Sequence, residues 1–413
     1  MPAAESTMPT AARGVRILDD VGGFAPPGRV SWAGGRFALG EGSARADPEP
    51  ELDGSGLWMI PGLVDAHLHA GWHAFDAAER ARLGAERTRR ATADGLARTL
   101  ASGVTSIRDA GGLDAGLLAG IPSTRRPRTQ RSERPLGPEE AEAAGGLGPA
   151  VEAVLATGAP WVKIIATRGV AAPPELALDP IFARSELADA VRRAAAAGAR
   201  VMVHAWGGRA IDDAIAAGAA SLEHGIFLTD AQAAAAAEAG LVLVPTLRIY
   251  RLVQRMIAAG ALPAAFRARV DDAVAAHPRA VRRARDAGLP IALGTDYGTP
   301  EQHGTGRLEF DALVDAGLTP EEALIAATRT GARMLAGAGA RSGAPRADEL
   351  AGRIADGADA DAVILRRDPR EPGALSAPDA VAAVLLDGRL LDPAELADPA
   401  EPTPESAPER TFP

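Results

Sequence analysis

The chain is 413 residues long, 47% hydrophobic and 24% charged, which excludes a disordered or fibrous protein and leaves room for one large domain with a smaller companion. A formal net charge of −10 without a basic stripe argues against nucleic acid and anionic membranes as partners. There is no cysteine, so disulfides, thiol nucleophiles and thiolate metal sites are excluded, and imidazoles and carboxylates remain as the good metal ligands.

The N-terminal run MPAAESTMPTAARGVRILDD has no apolar core of signal-peptide length, and no segment approaches the roughly 20 apolar residues of a membrane span, so a cytoplasmic protein is expected. Residues 1–58 read as short strands and turns, with GRVSWAGGRFAL alternating apolar residues and glycine turns. Residues 59–344 then alternate short apolar runs with Ala/Arg/Glu-rich helical stretches. The runs are LWMIPGLVDAHLHA, GVTSIRDAG, WVKIIA, RVMVHA, SLEHG, LVLVPTL and PIALGTD, with a weaker one at Pro127–Ser132. Several helical stretches, among them VRRAAAAGAR and DAQAAAAAEAG, end in a C-cap glycine. Strand and helix alternating without hairpin signals predict a parallel sheet, and eight such units predict an α/β fold of the (β/α)₈ TIM-barrel type. The rest of 122–148 reads as a surface loop. Residues 345–396 return to strand character and are expected to join 1–58 in a small β-sandwich domain, while the Pro- and Glu-rich residues 397–413 read as a disordered tail.

Four of the seven histidines close predicted strands: His67 and His69 in GLVDAHLHA, His204 in RVMVHA and His224 in SLEHG. Lys163 lies in WVKIIA and Asp296 ends IALGTD. In a parallel barrel the C-terminal strand ends carry the chemistry, so six donors on five strands meet at one face. Such a set suits Zn²⁺, Mn²⁺ or Fe²⁺. Glu223 reads as outward-facing or ion-paired, His277 as a surface residue of a helix, and His73 as peripheral. Of the 44 Lys and Arg residues only Lys163 is a lysine. A chain that otherwise uses Arg everywhere keeps its one Lys where the strand pattern is apolar, which calls for a chemical reason.

PGLVDAHLH, the Lys of WVKIIATRG, VHAWGGRAI, SLEHGIFL and ALGTDYG resemble the successive motifs of the amidohydrolase superfamily, in its imidazolonepropionase-like and prolidase-like branch. The resemblance spans nearly the whole chain. It implies a TIM-barrel hydrolase with two divalent metal ions, Zn²⁺ foremost. His67 and His69 would bind the more buried ion, His204 and His224 the second, and Asp296 the first while handling protons. It also implies that Lys163 is carboxylated by CO₂ and that the carbamate bridges the metals. That chemistry needs an amine able to lose its proton, which Arg cannot provide. The implied reaction is attack of a metal-bound hydroxide on a C–N bond of an amide, cyclic amide or small peptide.

The chain departs from prolidase-like relatives in having no histidine between His73 and His204, where those carry one on a substrate-gripping loop. Arg248 and Tyr250, after the seventh strand, and Tyr297 and His303, after the eighth, are the candidate substrate contacts. The competing readings are a mononuclear imidazolonepropionase-like or deaminase-like enzyme, a lactone or organophosphate esterase at the same site, and a scaffold that has lost its metals. The expected partners are a small-molecule substrate and, as an option left open, further copies of the chain, a homo-oligomer.

Overall fold

The computed structural model describes residues 9–39, 50–74, 77–170, 178–336 and 349–398. Most of the expected tail, and the expected domain boundary at 344–345, lie outside these residues.

The N-terminal part supplies β1 (Ala11–Ile17), β2 (Gly28–Ala33), β3 (Arg36–Phe37), β4 (Glu51–Asp53) and β5 (Trp58–Pro61). The central part supplies β6 (Leu63–Leu68), β7 (Val104–Asp109), β8 (Arg128–Arg131), β9 (Pro135–Leu136), β10 (Trp161–Ile165), β11 (Arg200–Ala205), β12 (Ser221–His224) and β13 (Val242–Val244). The chain ends with β14 (Ala362–Leu365), β15 (Val381–Leu386) and β16 (Arg389–Leu391).

The terminal strands form one connected sheet of eight, in the order β16-β15-β14-β5-β1-β2-β3 with β4 beside β1. β1 is the shared element: Ala11 to Arg13 pair with β2 and β4, and Arg16 and Ile17 pair with β5. A register shift between Arg13 and Val15 separates the two halves, at Gly14 with φ +72°. Both arms surround one apolar cluster that includes Val30, Trp32 and Phe37 from one side and Met59, Ile364 and Leu385 from the other. Each such side chain taken from water contributes about 1.5–3 kcal/mol, and neither arm could supply this cover alone.

The central strands are parallel, in the orders β6-β7-β8 and β9-β10-β11-β12-β13. The expected third strand is split: β8 pairs with β7 and β9 with β10, around a break at Ser132–Arg134 where Glu133 takes φ 63°. The segment expected to be a surface loop therefore holds the end of that strand and a helix at Pro138–Ala144. The segment 291–297 hydrogen-bonds on one side to β13 (Leu243) and on the other to β6 (Ala66 and His67) and to His69 just after it. Helices between the strands turn apolar stripes inward; Leu147, Ala150, Val151 and Val154 fall at i, i+3, i+4 and i+7. Gly198, Gly240 and Gly288 follow helix ends with φ near +72°, which only glycine adopts without strain, and there the expected caps are found.

One departure from regular alternation places the site. Between Asp65 and Leu68, three residue steps of β6 span two of β7, a β-bulge. Val64 and Ala66 pack with Trp161 and Met202 in an interior cluster. Within the bulge, His67 joins Lys163, the alternate neighbour of Trp161 on β10.

Candidate active site and metal centre

Six donors gather at the C-terminal ends of β6, β10, β11 and β12 and in the segment 291–297. Asp296 Oδ1 lies 3.3 Å from His67 Nε2 and 3.1 Å from His69 Nε2. Lys163 Nζ lies 3.4 Å from His67 Nε2. The His204 and His224 rings are 4.5 Å apart, and the His67 and His224 rings 5.2 Å. His67, His224 and Asp296 present ligand atoms all within 4.8 Å of one another. The backbone works to achieve this. His224 (φ 70°), Thr246 (φ 55°) and Asp296 (φ 56°), in three successive parallel segments, all occupy the left-handed region. Non-glycine residues there are uncommon and cost of order 1–3 kcal/mol each, a concentration typical of functional sites. The turn at His224 brings its ring to the same side as its neighbour Glu223, which strict alternation would forbid.

Each imidazole is held from behind. His67 Nδ1 donates to Glu223 Oε2 at 2.5 Å, and His69 Nδ1 donates to the Gly111 carbonyl at 2.8 Å. His224 Nδ1 is hydrogen-bonded to Thr246 Oγ1 at 2.7 Å. In all three, Nε2 is left for the site, the arrangement characteristic of metal-binding histidines. His204 Nε2 is buried with no hydrogen-bond partner among the described residues. A buried donor set of this kind, with an orphaned imidazole nitrogen, fits divalent metal.

Burial pushes the Lys163 amine down to about 8, against the pull of Glu223 and Asp296. A neutral amine is therefore accessible near neutral pH, as carbamate formation requires. Burial pushes His204 down to about 3, helped by Lys163. Burial would raise Asp296, but the surrounding histidines outweigh it and hold the carboxyl well below its ordinary range.

The remaining expected site residues separate into two groups. Tyr250 is buried, its ring 5.9 Å from His224 and 5.3 Å from Trp206, so it forms the site wall. Tyr297 is buried beside it in the apolar cluster of Trp206 and Tyr250, and its hydroxyl accepts from the Arg248 guanidinium. His303 is buried. It packs on Gly95 and lines a flank cleft of about 450 Å³ with Arg98 and Arg307. The reading of His277 as a surface residue is corrected, because it is buried and its Nε2 donates to the His224 carbonyl at 3.0 Å. Its helix, Arg267–Asp286, buries Val270, Ala273, His277, Ala280 and Ala284, so His277 sits on the inward stripe.

Residues missed from sequence are those behind the donors. Glu309 accepts from the Leu247 and Arg248 amides at 2.5 and 3.0 Å, which fixes the start of the helix carrying Arg248 and Tyr250. Arg108 is fully buried and pairs with Glu223 at 2.9 Å. A lone Arg inside the apolar strand run VTSIRD was its available signal, and Glu223 proves to be ion-paired inward.

A profile of the Amidohydrolase family matches residues 58–391. The chain belongs to that family. An uncharacterised protein of Mycobacterium tuberculosis is 34% identical over 351 residues, covering 82% of this chain and 86% of that one. An imidazolonepropionase of Anaeromyxobacter dehalogenans is 30% identical over 389 residues, covering 81% and 82%. Among solved structures, a prolidase complexed with N-methylphosphonate-L-proline is similar with TM-score 0.80 and 27% identity, over 92% of this chain and 98% of that one. Such neighbours imply a TIM barrel with a small second domain, and the parallel strands agree. This amidohydrolase is accordingly a metal-dependent hydrolase of carbon–nitrogen bonds. Among the described residues, no helix is long and apolar enough to cross a membrane.

Proposed function

We propose that this amidohydrolase cleaves the C–N bond of an amide, cyclic amide or small peptide at a site for two divalent metals, Zn²⁺ foremost, bridged by carboxylated Lys163. The parallel segments would close as a (β/α)₈ barrel through 291–297, and the terminal strands would be its small second domain. The observation that carries the reading is Lys163 itself: the sole lysine, buried, 3.4 Å from His67 Nε2, its amine pushed down to about 8.

In this reading His67, His69 and Asp296 would hold one metal, His204 and His224 the other, and carboxylated Lys163 would serve as a ligand to both. The metals would supply Lewis acidity toward the substrate carbonyl and acidify water. Asp296 would accept a proton on a carboxylate oxygen and return it to the departing nitrogen. Tyr250 and Trp206 would wall the site against bulk water, and Arg248 would select an anionic group on the substrate. The similarity to a prolidase and to an imidazolonepropionase supports an acyl–nitrogen substrate, linear or cyclic.

A second reading is mononuclear. The tight donor group among the described residues comprises three side chains, His67, His224 and Asp296, enough for one ion with an open position. Metal stoichiometry by elemental analysis, together with carbon-13 NMR of protein equilibrated with labelled bicarbonate, tests the choice. Two metals and a carbamate resonance are expected. One metal and no resonance would favour the mononuclear site.

A further inference from the structure

Behind the metal-facing histidines lies a buried charged assembly that the hydrolytic reading does not use. The Arg108 guanidinium, carried on β7, directs its donors to two other strands, β6 and β12: Nε to the Ala66 carbonyl (2.6 Å), Nη1 to Ser221 Oγ (2.8 Å), and Nη2 to both Glu223 oxygens (2.9 and 3.0 Å). Its planar face lies 4.5 Å from the Trp161 ring on a fourth strand. Ser221 Oγ donates to Glu223 Oε1 at 2.5 Å, and His67 Nδ1 donates to Glu223 Oε2. Arg108 and the side chains of Glu223 and His67 are at most 1% exposed.

We propose that Arg108 and Glu223 are positioning residues for metal capture, which act only through His67. The proposal rests on the reading that the site binds divalent metal. Four physical facts support it. A short bond to a carboxylate keeps the proton on His67 Nδ1 and fixes the ring, so the Nε2 lone pair points at Asp296 and Lys163. Among the described residues, Glu223 Oε2 is the one side-chain acceptor for that Nδ1. A buried carboxylate this close to a metal site would otherwise be free to turn toward the cation. The Arg108 fork, bonded to both of its oxygens, prevents that turn and offsets its charge. A lysine could not replace Arg108, because one ammonium cannot reach Ala66, Ser221 and both carboxylate oxygens in a plane. Because the fork ties β6, β7 and β12 together, it also holds the strand bearing His67 in register with the one bearing His224.

The probe is Zn²⁺ alone, with affinity measured by competition against a chromophoric chelator, and with circular dichroism and thermal unfolding of each metal-free protein alongside. Glu223→Gln is expected to weaken Zn²⁺ binding by about 10–100-fold while metal-free secondary structure is unchanged. Arg108→Met should weaken it at least as much, because it strands a buried carboxylate, and the Arg108→Met/Glu223→Gln pair should recover part of that loss. In a His67→Ala background Glu223→Gln should cost little further affinity. Unchanged Zn²⁺ affinity in Glu223→Gln, or an equal loss with and without His67, would overturn the proposal. So would failure of the charge-neutral double variant to fold, which would make the pair a structural brace. If the wild-type chain itself binds no Zn²⁺, the metal reading falls first, and the two failures are thereby told apart.

Discussion

The Arg248 guanidinium and the Tyr297 hydroxyl, two residues from different segments, satisfy each other at the edge of the donor cluster. Burial pushes the Tyr297 phenol up to about 12, Glu309 adds to this, and Arg248 opposes it, so the hydroxyl stays protonated and serves as acceptor for Arg248. Arg248 is thus aimed before any substrate arrives. Arg248→Ala should raise KM for anionic acyl–nitrogen substrates by about tenfold or more, the worth of a charge-assisted hydrogen bond, with neutral substrates little changed. Steady-state kinetics on matched acidic and neutral substrates checks this, and equal effects on both would remove Arg248 from recognition.

Lys163→Arg should lose at least one metal and nearly all turnover while the fold persists. The change retains a cation but abolishes a nucleophilic amine, and it sets a permanent charge beside the metals where repulsion is weakly screened. Lys163→Ala should bind metal better than Lys163→Arg, and short carboxylates added to it should restore some activity. Elemental analysis, turnover and circular dichroism give the answer; two metals and normal turnover in Lys163→Arg would rule out the carbamate bridge.

Gly294 precedes Asp296 where the chain passes directly against His67. A Cβ there would stand 2.4 Å from Val244 Cγ1, 2.9 Å from His67 Cβ and 3.1 Å from the His67 amide nitrogen. Gly294→Ala should therefore cost about 1–3 kcal/mol of stability and weaken metal binding by displacing His67. Denaturant unfolding and chelator competition on the same sample test both effects.

Glu309 governs a pH response. Burial raises its carboxyl from 4.5 to about 8, against the two amides it accepts from. A group with a raised folded pKa stabilises fully below the unfolded value, and that contribution is lost as pH rises through the folded one. From pH 4.5 to about 8, wild-type stability should therefore fall relative to Glu309→Gln, which keeps an acceptor for the Leu247 amide but cannot ionise. Urea midpoints of both proteins across that window decide it; parallel curves would refute the assignment.

Deleting residues 350–395 should unfold more than the terminal sheet. β14 pairs with β5 from Ala362↔Pro61 to Leu365↔Trp58, and β5 runs through Gly62 into the strand that carries His67. A truncated chain that remains folded with full metal content would contradict this coupling.

The parallel strands and the side chains that gather at their ends were legible because each leaves a local mark: an apolar run ending in His or Asp, a helix closed by glycine, one lysine among 44 basic residues. The glycines behaved as read, since a left-handed C-cap is a local requirement. His277 escaped because its helix is rich in arginine on its outer face, and the inward stripe is mostly alanine, a weak periodic signal. The packing of His303 on Gly95 left no mark in the sequence, because a loop's direction after a strand is set by what it packs on and not by its own residues.

By itself, the sequence determined which chemistry the protein can host: imidazole, carboxylate and one amine at strand ends, with no thiol anywhere. Tertiary structure alone decided how those groups face one another. The bulge in β6, the left-handed turns at His224 and Asp296, and the Arg108–Glu223 pair behind His67 all arise from contacts between strands far apart in sequence. Local patterns report periodicity, whereas a bulge, a strained dihedral or a buried ion pair persists only when surrounding packing over-determines it.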